Sequence, residues 1–127
     1  MIIQKPWGTE EVWATTAHSV GKILTIDPSA RLSRKYHKIK NHNIRVLKGA
    51  ITIEEGPFCP GGDIHEVCLT EGMTYLMPAN VIHRLCASQH GATLLELSGA
   101  GAADSVRLED DYRRVTDVPN RAPQSDK

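Results

Sequence analysis

The sequence predicts an all-β, single-domain barrel or sandwich, and three observations predict it. Short runs rich in β-branched and aromatic residues recur along the chain: "EEVWATT", "VGKILTI", "IRVLKGAITIEE", "IHEVCLT", "MTYLMPA", "VIHRLCAS" and "ATLLELS". Turn signals separate them, namely "DPSA", "KGA", "GPFCPGG", "EGM" and "QHG". The chain has 127 residues, enough for one core without staples. Strands this short bury sufficient apolar face only when a sheet closes or doubles, which also protects its edges.

Taken in order, "KPWG" with Lys5 and Trp7 fixes the first strand on the barrel, a structural rather than a substrate role. In "HNIRVL", period-two alternation puts His42, Ile44 and Val46 on one face and Asn43, Arg45 and Leu47 on the other, so His42 points inward. On the preceding run Arg31, Ser33, Lys35 and His37 share a parity, and a polar inward face lines a pocket. The same reasoning groups Val81, His83 and Leu85, so three imidazoles are expected to converge. "GPFCPGGD" lacks both the lysine and the strand-to-helix setting of a phosphate-binding loop, and reads as a turn. "ADSVRLEDDYRRV" fits a short helical turn or an arm lying on the barrel. The domain is placed at residues 1–115, with a flexible tail over 116–127.

Composition narrows the partners. Fifteen Lys plus Arg balance fifteen Asp plus Glu, so the field that gathers nucleic acid or anionic membrane is absent and a small molecule is expected. Cys59, Cys68 and Cys86 are odd in number and without metal-ligand spacing, which fits a reducing, cytoplasmic setting. The start "MIIQKPWGTE" carries no signal-peptide pattern, and no run is long enough to span a bilayer.

The segment "PSARLSRKYHKIKNHNIRVLKGA" followed by "EGMTYLMPANVIHRL" resembles the two cupin motifs, with Gly49, Gly72, Pro78 and His83 at motif positions. More narrowly, "KPWGTEEVW", "LSRKYH" and "DSVRLEDDYRR" are similar to the cupin domain of type II mannose-6-phosphate isomerases, across nearly the whole chain. The resemblance implies a single-domain cupin, a double-stranded β-helix of jelly-roll type, that pairs as a homodimer. It also implies a metal held by Gln, His, Glu and His at positions that here read Lys35, His37, His42 and His83. Ile39, Asn43 and Asn80 are further departures from the family pattern.

The metal reading assigns His37, His42 and His83 to a site of three neutral imidazoles with open positions, suited to Zn, Ni, Fe or Cu. Its bland counterpart is an empty, hydrogen-bonded pocket. Lys35 at the fourth position opposes a divalent cation unless it turns away or pairs with an acid such as Glu96. Lys35 is read either as part of a solvated basic strand or as a proton carrier or anion clamp. Glu96 interrupts the apolar run "LLELSG" and is read either as an edge position or as a second candidate catalytic group. By resemblance, Arg107 and Arg114 orient a phosphate at the barrel mouth, with Glu109 and Asp110 holding them; composition alone makes this segment a salt-bridged surface.

The activity implied is metal-dependent isomerisation of mannose 6-phosphate and fructose 6-phosphate or a close analogue. There the metal polarises the carbonyl while Glu96 or Lys35 carries a proton through an enediol. Two alternatives stand beside it: a non-catalytic cupin binding a sugar or small anion, and a metal-dependent oxygenase or lyase.

Overall fold

The computed structural model describes residues 1–57, 62–101 and 104–112. Nine strands lie in the described residues, with no helix among them: β1 (Ile2–Lys5), β2 (Gly8–Thr15), β3 (Ser19–Ile26), β4 (Arg34–His37), β5 (His42–Pro57), β6 (His65–Thr70), β7 (Thr74–Met77), β8 (Val81–Gly99) and β9 (Ser105–Glu109). All pairings are antiparallel. One path runs β1-β2-β3-β8-β4-β9, and β5 pairs with β6, β7 and β8, so β1 and β9 are the ends of that path.

The two long strands make the curl. In β5, His42, Ile44 and Val46 are buried at even positions, whereas Ile51 and Ile53 are buried at odd ones. In β8, His83 and Leu85 are buried at odd positions, but Ala92, Leu94 and Ser98 at even ones. A strand of strict period two cannot change its buried parity, so each must be interrupted. Register shifts between Val46 and Lys48 and between Gly49 and Ile51 supply the interruption, and Gly49 pairs with Ala92, next to Gly91. Both glycines take left-handed backbone angles, φ 79° and 81°. The turns expected at "KGA" and "QHG" are therefore bends within continuous strands.

A Cβ at Gly49 would stand 2.2 Å from the Gly91 carbonyl oxygen. Gly49→Ala is expected to destabilise the protein by roughly 3 kcal/mol, through left-handed strain and backbone overlap together, as read by urea unfolding.

Inside the curl, Trp7, Leu24, Ile26, Ile44, Val46 and Leu94 are buried in one apolar cluster that extends to Ile51, Ile53, Leu69 and Leu85. Trp7 is fully buried, and Lys5 is buried against Glu10 at 3.8 Å, which agrees with the structural role expected of "KPWG". The arm-like segment near the end is strand β9, paired with β4 through Lys35↔Arg107, Tyr36↔Val106 and His37↔Ser105. Its acids fasten it: Asp111 binds Arg31 at 2.6 Å, while Glu109 lies 3.6 Å from Arg34 and 3.7 Å from Arg84. Cys68 and Cys86 are free thiols, and Cys59 lies outside the described residues. Residues 58–61 of "GPFCPGGD" lie outside them too, as does the proposed tail over 116–127. No helix of the described residues is long and apolar enough to cross a membrane.

Candidate metal centre and its cavity

A cavity of about 310 Å³ opens within the barrel, and Lys35, His37, His42, His83 and Glu96 all line it. Three strands bring these five residues together. On β4, alternation turns Lys35 and His37 inward between half-buried Arg34 and Tyr36. On β5 the same alternation turns in His42. Lys35 is the direct cross-strand partner of His83 on β8, and Glu96 comes from the other end of that strand. Lys35 is 4 % exposed, so the part of "RKYHKIKNHN" that forms β4, Arg34–His37, is not a solvated basic strand.

The imidazoles form a stack. The rings of His37 and His42 are 3.9 Å apart between centroids, and those of His37 and His83 are 5.4 Å apart. Each Nδ1 faces an oxygen. His37 Nδ1 donates to Asp104 Oδ1 at 3.1 Å, and His83 Nδ1 donates to the Val81 carbonyl at 3.2 Å. His42 Nδ1 lies 3.4 Å from Glu96 Oε2, though without the alignment of a hydrogen bond. Fixing Nδ1 in this way assigns the tautomer of His37 and His83 and leaves their Nε2 as the lone pair, the pattern in which carboxylates and carbonyls behind a metal site orient its histidines.

The charges agree with that pattern. Burial, aided by His42, Lys35 and His83, pushes the His37 imidazolium well below its ordinary range against the opposing Asp104. Burial and Lys35 push His83 down to about 4, so both rings are neutral at pH 7. Burial works against the Glu96 carboxylate, yet His42, Lys22 and Lys35 outweigh it and hold its pKa at about 2. Asp104 is likewise lowered: burial is overcome by the backbone N–H groups of Lys40 and Ile39, which donate to Oδ2 at 2.7 and 2.8 Å, and by His37.

These residues fit a divalent transition metal. Neither nitrogen of the buried His42 ring has a hydrogen-bond partner among the described residues, an arrangement costly in a dry interior unless a ligand completes it. Donor atoms of His37, His42 and Asp104 lie within 4.8 Å of one another. His83 stands outside that tight group, beside His37, with its Nδ1 turned to the backbone. Lys35 is in the same cavity, among the histidines.

The sequence reading missed three charged cavity residues. Lys22 shares parity with the buried Leu24 and Ile26, which is a usable sign that it points inward. Asp104 and Lys40 carry no such sign, because their contacts are made across more than sixty residues of chain. In the other direction, Arg107 is buried at 6 % exposure but does not line the cavity, so the structure does not set it at the mouth beside a substrate. Arg114 lies outside the described residues.

No protein-family model and no curated protein matches the sequence. Solved structures do match. The capsular polysaccharide assembling protein CapF from Staphylococcus aureus superposes with a TM-score of 0.76 at 14% identity over 86% of this chain. The chain spans about a third of CapF, 32% of its length. The Schizosaccharomyces pombe Cnp3 cupin domain gives 0.63 at 8% identity, over 73% of this chain and 64% of that one. The fold is that of a cupin. KdgF from Halomonas sp. shares this cupin fold at nearly the same size, with a TM-score of 0.65 and 17% identity over 77% of this chain and 84% of its own. The histidine stack occupies the interior of that cupin barrel.

Proposed function

We propose that the protein is a metal-dependent enzyme acting on a small sugar phosphate, isomerising mannose 6-phosphate and fructose 6-phosphate or a close analogue. The observation that carries the proposal is the set of three buried imidazoles, each with Nδ1 facing an oxygen, lining a cavity large enough for such a substrate. His37 and His42 would hold the metal, with His83 completing the set. A bound metal supplies Lewis-acid polarisation of a carbonyl and its neighbouring hydroxyl.

The chain's own residues divide the remaining work. Asp104 and Glu96 orient the two stacked rings. Glu96, with a pKa of about 2, is a weak proton acceptor, so its place beside His42 suits orientation better than general-base catalysis. Lys35, buried next to His83, is the group placed to move a proton or to hold substrate oxygen. Leu32, Met77 and Leu85 form apolar wall and keep water from the reacting end. The flanking motifs "KPWG" and "DSVRLEDDY" support the isomerase branch, and the similarity to CapF, a capsular polysaccharide assembling protein, supports carbohydrate chemistry.

A second reading, a metal-dependent oxygenase or lyase, is favoured by one observation: His37, His42 and Asp104 present a two-histidine, one-carboxylate donor group. One experiment separates the two. Purified protein is loaded in turn with Zn, Ni, Fe(II) and Cu, then assayed for interconversion of mannose 6-phosphate and fructose 6-phosphate and, with Fe(II), for dioxygen uptake. Isomerisation lost in His37→Ala is the expected result. Dioxygen uptake without isomerisation establishes the second reading, and tight sugar-phosphate binding without either establishes a non-catalytic cupin.

A further inference from the structure

The wall of the barrel that carries His42 and Glu96 also has an outer face, turned away from the cavity. The path β1-β2-β3-β8 continues from residues 92–99 of β8 to residues 42–49 of β5 and on to β7, so six strands lie side by side there. The alternation that turns Leu24, Ile44, Val46 and Leu94 into the core turns Ile23, Arg45 and Leu95 outward. Trp13, Leu76 and Leu97 are each about half exposed on this face, a contiguous apolar surface of the kind that marks an interaction site.

Trp13 sits at the bulge of β2 between Val12 and Ala14, and its ring lies over Gly21 of β3. A Cβ at Gly21 would stand 2.8 Å from that ring, so the glycine is what lets an exposed indole lie flat on the sheet. The registers set the outward residues in rows across the strands. Glu11 on β2, Ile23 on β3, Leu95 on β8 and Arg45 on β5 are successive cross-strand partners. The next row runs from Trp13 over Gly21 to Leu97 and Asn43, and the one on the other side is Thr9, Thr25, Thr93 and Lys48. Neither Glu11 nor Arg45 is in an ion pair among the described residues.

We infer that this face is the interface between two copies of the chain, packed sheet against sheet about a twofold axis that runs along the strands between β3 and β8. Resemblance to cupins implies pairing without naming a face; the residue rows fix both the face and the axis. The inference does not depend on the metal or the sugar phosphate.

Charge selects the occupant. The row negative, apolar, apolar, positive is its own complement when read in reverse, and a twofold along the strands reads it in reverse. That axis lays β8 over the partner's β3 and β5 over the partner's β2. Leu95 then meets the partner's Ile23, and Arg45 meets the partner's Glu11, each contact occurring twice. In the next row Leu97 comes down on the partner's Trp13 and Gly21, an aliphatic side chain against a flat ring. Lys48 meets the partner's Thr9, so no like charges oppose one another. A twofold running across the strands through the same row would set Glu11 on Glu11 and Arg45 on Arg45, and like charges facing each other across an interface cost several kilocalories per mole.

The test is a charge exchange read by sedimentation velocity at micromolar concentration, where the wild-type protein is expected to be a dimer. Glu11→Arg and Arg45→Glu should each weaken that dimer by at least about a hundredfold, because like charges then meet at two symmetric places. The double variant should pair again. So should an equimolar mixture of the two single variants, since one then presents two positive charges and the other two negative. Leu97→Asp should be monomeric with no charge exchange to rescue it. All three positions lie on the outer face, and urea midpoints of the isolated variants should match that of the monomeric wild-type chain. Iodide quenching of tryptophan fluorescence needs no variant: Trp7 is fully buried, so quenching should rise as dilution separates the copies and uncovers Trp13. A wild-type monomer, a dimer that survives Glu11→Arg, a mixture that stays monomeric, or quenching indifferent to dissociation overturns the assignment.

Discussion

His42→Ala is expected to lower the metal content of the purified protein from about one ion per chain to below about a tenth. His42 has both ring nitrogens buried without a hydrogen-bond partner among the described residues, stacks on His37 at 3.9 Å and faces Glu96. Altering a residue that merely orients a metal ligand costs roughly 10–100-fold in affinity, so deleting a ligand should cost more than about 100-fold. The thermal readout carries its own sign. Metal at about a hundred times its dissociation constant stabilises a native state by about 2.7 kcal/mol, a gain that His42→Ala should lose entirely. Without metal the same variant should lose little, because an unsatisfied buried ring already costs about 1–3 kcal/mol that the substitution relieves. A purely structural His42 would show the opposite: large destabilisation without metal and an unchanged response to metal. His18, His65 and His90 are exposed and do not line the cavity, so alanine at those positions should leave the metal content unchanged.

Why some of this site is written in the local sequence and some is not follows from how each contact is made. The inward turn of His42 follows from alternation with Ile44 and Val46, because a pleated strand has no other way to bury two aliphatic side chains two residues apart. Lys35 and His37 follow from the same rule on β4. Lys22 was equally readable beside Leu24 and Ile26, but a lysine in an apolar run is easily taken for the solvent-facing member of the alternation. The bends at Gly49 and Gly91 were not readable, because a glycine between two apolar runs signals a turn as well as it signals a strand that changes sheet face. Asp104 was not readable at all. Its bond to His37 depends on β9 pairing with β4, a match of two segments with nothing in their spacing to join them. Arg107 shows the limit of a motif: the segment that carries it forms, but the side chain is buried off the cavity wall.

Acid should unfold the metal-free protein in two overlapping stages. The groups concerned are His37 and His83, faced by Lys35 and His42, and Glu96, faced by His42, Lys22 and Lys35. A buried imidazole whose folded pKa lies below its unfolded value of 6.5 binds fewer protons in the native state, so stability is full above pH 6.5 and falls as pH drops toward the folded pKa. For His83 that window runs from 6.5 down to about 4, and the loss across it amounts to about 3 kcal/mol. His37 adds to it in the same direction. Glu96 has the same sign by a different route: its carboxylate is held at about 2 against an unfolded value of 4.5, so its contribution is lost between pH 4.5 and 2. Urea midpoints measured at pH 7.5, 5.5 and 4 should therefore fall steadily, with unchanged slopes if the transition stays two-state. Glu96→Gln should remove only the lower stage, and the decline between pH 6.5 and 4 should persist. Midpoints that stay level from pH 7.5 to 4 would show that the imidazoles are not buried as neutral rings, and with that the donor set for a metal at this site would be gone.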